Sequence, residues 1–373
     1  MSTNPVPIST PRYLSIDTLR GFDMLMITGL GSFISLLKGK TEWSWVDQLA
    51  DQFEHPSWNG FTFYDFIFPL FLFIAGVSLP FSLNKGISQG LSKSQLYKKA
   101  FFRFLILLAL GILDKNAPIP FFDWSEIRLG GVLQRIGFAG LITTVLYLNF
   151  NFRSRVIWVI GILLFYYAAV FLIPVPGYGA GDLSFEGNLN GWIDRTFLPG
   201  RLLQKTYDEL GILTQLPALC LTVLGSLAGD IFRNTETSET RKLRDLVLFG
   251  FVCLGLGLLW SLHFPINKHM WSSSFILLTG GMSFLLLALF YWIIDILHFK
   301  KWTFFFMVIG MNSLTIYMVY RLINFGYTSR LLFGGLYSGS PEAWQPVFQS
   351  LGALVLVWVF LYVLYRKKIF IKI

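Results

Sequence analysis

Residues 53–76 read FEHPSWNGFTFYDFIFPLFLFIAG, a polar turn that passes directly into an apolar run long enough to enter a membrane. Similar runs of about 20 apolar residues recur along the chain, and at about 1.5 Å per residue each can cross a hydrocarbon layer about 30 Å thick. Hydrophobic residues make up 54% of the 373 and charged residues only 14%, so the pattern predicts an all-α polytopic membrane protein. Apolar windows predict about ten spans, near residues 18–37, 61–83, 97–113, 128–149, 153–173, 211–230, 244–263, 271–297, 302–325 and 344–365. No polar block between them is large enough to fold alone, so residues 1–373 are expected to form one transmembrane domain in a single bundle. Residues 1–11 are expected to be a flexible start, and residues 174–210, rich in Gly and Pro, form the longest loop.

The formal net charge of +9 does not point to nucleic acid, because the cations sit in short loops between spans. Arg12, then Lys85, Lys93, Lys98 and Lys99, then Arg153 and Arg155 fall on one side. Arg233, Arg241, Lys242 and Arg244 follow on the same side, then Lys300 and Lys301, then Arg366, Lys367 and Lys368. The positive-inside rule makes that side, and both termini, cytoplasmic. The opposite loops carry Glu42, Asp47, Asp51 and Glu54 and include His55, so they face outward. Cys220 and Cys253 fall inside predicted spans, which gives no support to a disulfide framework or a thiolate metal site. The first residues lack the basic start and short apolar core of a signal peptide, so the first span is expected to be retained. No internal repeat or matched pair of interrupted spans is visible, which argues against an inverted-repeat transporter.

Ionisable groups inside spans are costly and usually face the bundle interior. Asp17, Arg20 and Asp23 follow one another at i, i+3 spacing in SIDTLRGFDM. They fit a structural ion pair, or an arginine site for an anionic ligand such as a phosphate in which Arg20 acts with Arg12. Arg135 lies roughly 10 Å beyond Arg128 along the fourth span, at about 1.5 Å per residue. It is expected either to pair with a buried carboxylate such as Asp65 or to shape a polar site. In GMNSLTIYMVYR, Ser313, Tyr317 and Arg321 share one helical face with Asn312 beside them, a pattern that by default joins helices.

The loop PINKHMWS places Asn267, Lys268, His269 and Trp271 before the eighth span, and Trp58 stands at the mouth of the second; such tryptophans ordinarily anchor a helix at the interface. HPSWNG, however, gathers an imidazole, a hydroxyl, an amide and an aromatic face within six residues. Amides and hydroxyls can meet sugar hydroxyls, an indole can support a sugar ring, and neutral imidazole can accept a proton near pH 7. A Walker loop, a GxGxxG fingerprint, HExxH and GxSxG are all missing, and the four histidines are scattered, so no metal is expected.

RYLSIDTLRGFD, HPSWNGFTFYDFIFPLFLFIAG, RLGGVLQRIG, LIPVPGYGAGDL, GWIDRTFLPG, PINKHMWS, GMNSLTIYMV and YRKKIFIKI occur in that order. Together they resemble the motifs of the heparan-alpha-glucosaminide N-acetyltransferase family, over residues 12–373. The resemblance covers the membrane core of the lysosomal members, which have a further amino-terminal luminal region and span. An asparagine associated with their active site falls near Gly31 here. The short form resembles the bacterial branch, for which periplasmic amino sugars are the expected acceptors in the inner membrane.

The resemblance implies that acetyl-CoA is taken from the cytoplasm and that its acetyl group passes to a glucosamine amine across the membrane. It makes His55 the expected catalytic residue, as general base or as the nucleophile of an acetyl-histidine intermediate. Trp58, Asn59, Asn267, Lys268, Trp271 and Asn312 are expected to bind the acceptor, with Asp65, Arg135, Ser313 and Tyr317 in support. Arg12, Asp17, Arg20 and Arg103 are expected to hold the acetyl-CoA end. A sugar permease and an envelope O-acetyltransferase remain as alternatives. The paired Gly280 and Gly281 suit a homodimer contact between helices.

Overall fold

The computed structural model describes residues 13–371, so the expectations for residues 1–11 and for Arg12 lie outside the described residues. Among the described residues the fold is α-helical. In chain order the helices are α1 (Leu14–Leu25), α2 (Gly31–Ser35), α3 (Ser44–Asp51), α4 (Phe63–Ser88), α5 (Lys93–Asn116), α6 (Val132–Asn149), α7 (Phe152–Leu172) and α8 (Leu189–Phe197). They continue as α9 (Gln215–Arg233), α10 (Glu239–Trp260), α11 (Ser273–Tyr291), α12 (Thr303–Gly310), α13 (Ser313–Leu322), α14 (Phe325–Tyr337) and α15 (Gln345–Arg366).

Seven of the described helices are long and apolar enough to cross a membrane, and α12 with α13 makes an eighth if the 68° bent pair counts as one span. The chain is therefore a multi-pass membrane protein. Helix occupies each of the ten windows read from the sequence, but three windows differ from the expected continuous apolar rod, the ninth being the bent pair α12 and α13. The first is broken after α1, where Gly29 adopts φ 137° and Thr28 leaves helical geometry. The third, α5, carries Lys93, Lys98, Lys99, Arg103, Asp114 and Lys115 along its length.

The centre of the bundle is α4, α9 and α11, which are largely buried, whereas α7, α10 and α15 turn most of their apolar surface outward. Exposed Ile157, Phe165, Phe251, Leu259, Leu351 and Val355 on those outer helices suit a hydrocarbon surround. The innermost seam uses small residues, because without water as a driving force helices associate by close backbone packing. A Cβ on Gly76 would meet Thr222 O of α9 at 2.1 Å, and one on Gly225 would meet Phe73 O of α4 at 2.0 Å.

Gly280 and Gly281 are used in the same way within the chain. Gly281 lies against the Leu254 and Gly250 backbone of α10, and Gly280 against Leu224 of α9. They therefore do not offer the dimer surface expected of them. Cys220 and Cys253 are both free and buried.

Candidate active site

The site begins at the amino end of α4. Thr62 is its N-cap, and its backbone N–H donates to Asp65 Oδ2 at 3.0 Å, so the carboxylate of the first turn is fixed by the helix start itself. The preceding turn is folded back by Tyr64 N–H donating to Gln52 O at 2.9 Å and by Thr62 Oγ donating to Glu54 O at 2.7 Å. This brings His55 over Asp65: the imidazole Nδ1 lies 2.6 Å from Asp65 Oδ1. The Tyr64 ring stacks on the imidazole at 5.1 Å between centroids.

A second loop, between α10 and α11, completes the cluster. Gly60 N–H donates to Ile266 O at 3.0 Å, and Asn267 Nδ2 donates to Asn59 Oδ1 at 3.0 Å, which join the two loops edge to edge. Lys268 Nζ then sits 3.0 Å from His55 Nε2 and 3.5 Å from Asp65 Oδ1. The His55 side chain is 40% exposed while Asp65 beneath it is 1% exposed, so the imidazole is reachable and its carboxylate is not. With Asp65 accepting the Nδ1 proton, Nε2 keeps its lone pair, and the lysine amine, 3.3 Å from Nδ1 as well, lies over the imidazole ring.

Beside this cluster is an aromatic wall. Trp58 stacks on His269 with centroids 5.5 Å apart and an interplanar angle of 7°, and its Nε1 donates to Leu183 O at 2.8 Å. His269 Nε2 donates to Pro56 O at 3.3 Å, which leaves Nδ1 to accept from Tyr207 OH at 2.9 Å. Trp58 is half-buried and Asn59 exposed at this mouth, whereas Asn267 is buried and its amide ties the loops together.

Trp271 differs from both expectations placed on it. It is 1% exposed, neither an interfacial anchor nor an open sugar platform, and the Arg135 guanidinium carbon lies over its ring at 4.4 Å. Arg135 does not pair with Asp65, which is taken by His55 and Lys268. Arg135 bonds Thr214 Oγ1 at 2.6 Å, Glu209 O at 3.1 Å and Gln215 Oε1 at 3.2 Å instead. Two carboxylates are held close by, Asp194 on α8 and Asp208 in the loop before α9. Asp208 receives Nε and Nη2 of Arg128 at 2.7 and 2.8 Å, and Asp194 accepts the backbone N–H groups of Asp208 and Ile212. Burial pushes the Asp194 carboxyl up to about 6 despite those two donors.

Asn312 and its neighbours are not part of the His55 cluster. Asn312, at the bend between α12 and α13, bonds Ile369 O at 3.1 Å and Ile371 N at 3.4 Å, holding the carboxy-terminal segment. Ser313 opens α13 at the same bend, while Tyr317 and Arg321 of α13 bond Asp114 of α5 at 3.2 and 2.9 Å, the helix-joining role read from their spacing. At the end of the bundle where α1 begins, Asp17 pairs with Arg20 at 3.3 Å, and Arg20 Nη2 donates to Ser78 Oγ of α4 at 2.5 Å. Arg103 lies on α5. A hollow of about 510 Å³ opens at that end, lined by Leu14, Met307, Met311, Tyr365, Arg366 and Lys368, among others.

Tyr64, His269, Tyr207 and Asp208 were not singled out from the sequence as site residues. A Cβ on Gly31 would lie 2.7 Å from the Tyr64 ring, so where the family resemblance places an asparagine, the tyrosine beneath His55 fills the space. The pattern Thr62-x-x-Asp65, a capping box, was the available sign that Asp65 would face back toward the turn.

A family model described as heparan-alpha-glucosaminide N-acetyltransferase, catalytic, matches residues 12–257, a segment that contains His55, Asp65, Arg128 and Arg135. The chain is 28% identical to the human protein named heparan-alpha-glucosaminide N-acetyltransferase, over 97% of this chain and 60% of that one. The mouse protein of the same name is likewise 28% identical, over 98% of this chain and 61% of its own length. The chain thus spans about 60% of the length of these relatives. With more than half its length matched to the family model, the chain belongs to the heparan-alpha-glucosaminide N-acetyltransferase catalytic family.

Proposed function

We propose that the protein is a membrane N-acetyltransferase that moves acetyl from cytoplasmic acetyl-CoA to the amine of glucosamine or a glucosaminide on the opposite face. The observation that carries this reading is the His55–Asp65 pair at 2.6 Å, with Asp65 sealed and His55 open, at the mouth of an aromatic-walled site. In this reading there are ten crossings with both termini cytoplasmic, in a bacterial inner membrane, and His55 faces the periplasm. The whole chain acts as one domain.

An amine attacks a thioester only when its nitrogen lone pair is free, and it must lose a proton as the new bond forms. His55 Nε2 takes that proton while Asp65 holds Nδ1–H and stabilises the imidazolium. The amine nitrogen bonds to the acetyl carbon, the carbon–sulfur bond breaks, and the sulfur of CoA leaves with the electron pair and receives a proton. Trp58 and Asn59 orient the sugar. Arg135, stacked on Trp271, supports the floor of the site. Arg20, Arg103 and the hollow containing Arg366 and Lys368 hold the phosphate-bearing end of the donor, with Asp17 orienting Arg20.

The test is a proteoliposome with acetyl-CoA only inside and glucosamine only outside. N-acetylglucosamine appearing outside is the expected result, and it disappears with His55→Ala while acetyl-CoA binding is retained. Sugar uptake without acetylation would replace this reading with a permease. Ester-linked acetyl on an envelope polysaccharide would replace it with an O-acetyltransferase.

A further inference from the structure

The Lys268 amine stands where the acceptor amine of the proposed reaction would stand. Its Nζ is 3.0 Å from His55 Nε2, the atom that would take the proton, 3.3 Å from Nδ1 and 3.5 Å from Asp65 Oδ1. The near-equal distances to the two ring nitrogens place the amine over the imidazole, a small side-chain rotation from the Nε2 lone pair that a nucleophile shares with its base. The lysine is held there by its backbone: Asn267 is tied to Asn59, and Trp271 N–H donates to Lys268 O at 3.1 Å, so the loop cannot carry the side chain away as a mobile arm would. With its side chain 14% exposed, Lys268 is mostly shielded from bulk water yet faces the open side of the imidazole.

We propose that Lys268 is itself an acetyl acceptor, modified at Nζ when acetyl-CoA is bound and no sugar occupies the site. The inference rests on the acetyltransferase reading given above. Lys268 gives one proton to water through His55, and the neutral Nζ attacks the thioester carbonyl carbon. The N–C bond forms as the C–S bond breaks, and the second Nζ proton passes through His55 to the departing CoA sulfur. One ammonium and one acetyl-CoA yield one amide, one CoA thiol and one released proton. The amide has no charge to offer Asp65 and sits against Nε2, so the modified enzyme cannot use His55 as a base. Acetylation of Lys268 would therefore switch off a molecule that holds donor without acceptor, and a bound sugar amine, by displacing the lysine, protects it.

The full-length protein in detergent is incubated with acetyl-labelled acetyl-CoA, with and without excess glucosamine, then digested and its peptides are sequenced by mass spectrometry. The expected result is hydroxylamine-stable acetyl on Lys268, reduced by glucosamine and lowered about 100-fold by His55→Ala or His55→Gln, in keeping with loss of a general base. Label on His55 alone, labile to hydroxylamine, overturns the proposal. Equal label on the exposed Lys38 and Lys205 also overturns it, as chemical background. If glucosamine is acetylated while Lys268 stays unmodified throughout, the proposal fails and the acetyltransferase reading stands; if neither product forms, that reading falls with it.

Discussion

Two clusters of opposite character lie near the same mouth. In the first, His55, Asp65 and Lys268 share short contacts around an imidazole that is 40% exposed. In the second, Arg128 grips Asp208 with two bonds, and Asp208 and Asp194 hold the loop before α9, all of them buried. Both are paired charges, but only the first leaves an ionisable group open to a ligand. A cluster whose every partner is sealed fixes backbone, and a cluster with an open titratable member is available for chemistry.

That contrast is broken most severely by His55→Ala, which should lower acetyl transfer by about 10³-fold, a typical general-base contribution, while the thermal unfolding midpoint in detergent stays where it is. Loss of folding with it would move His55 into the structural class. Arg128→Ala should do the reverse: leaving Asp208 buried without its partner should destabilise the protein by about 3 kcal/mol, read as a lowered unfolding midpoint. Trp58→Ala should raise the KM for the sugar by about tenfold with little change in kcat, as expected when an aromatic contact worth about 1–1.5 kcal/mol acts equally on ground and transition states.

A further effect concerns pH. The Asp194 carboxyl titrates near 6 in the folded protein, above its ordinary value of about 4, so the folded state binds this proton more tightly than the unfolded one. Its contribution to stability is therefore most favourable at pH below about 4 and is lost as pH rises through 6. Midpoints measured across that window should show this downward component in the wild type, and Asp194→Asn should flatten it. An unchanged profile would remove Asp194 from the account.

The membrane class, the all-helical bundle and the position of His55 at a polar mouth were legible because each is written in consecutive residues. Apolar run length and a dense polar hexapeptide need no tertiary information. Lys268 was read as a ligand for the sugar, yet it lies against the imidazole, and 213 residues separate the two in sequence. Arg128 and Asp208 are 80 residues apart, and neither one's neighbours point to the other. Arg135 was offered to Asp65 on charge alone, but the cap at Thr62 turns that carboxylate toward the histidine. The breaks at Gly29 and Asn312 also escaped an apolar-window reading, which averages over residues and cannot register a single dihedral.

The seam between α4 and α9 sets a boundary on traffic through the bundle. At Gly76 and Gly225 the two backbones are so close that not even a methyl group fits between them. A slender chain such as a pantetheine arm could not pass between them either. On the acetyltransferase reading proposed above it would travel along another side of α4, and the side where Arg20 meets Ser78 is one that a polar group already marks. Side chains that enlarge Gly76 would therefore force α4 and α9 apart well before they touched the His55 cluster.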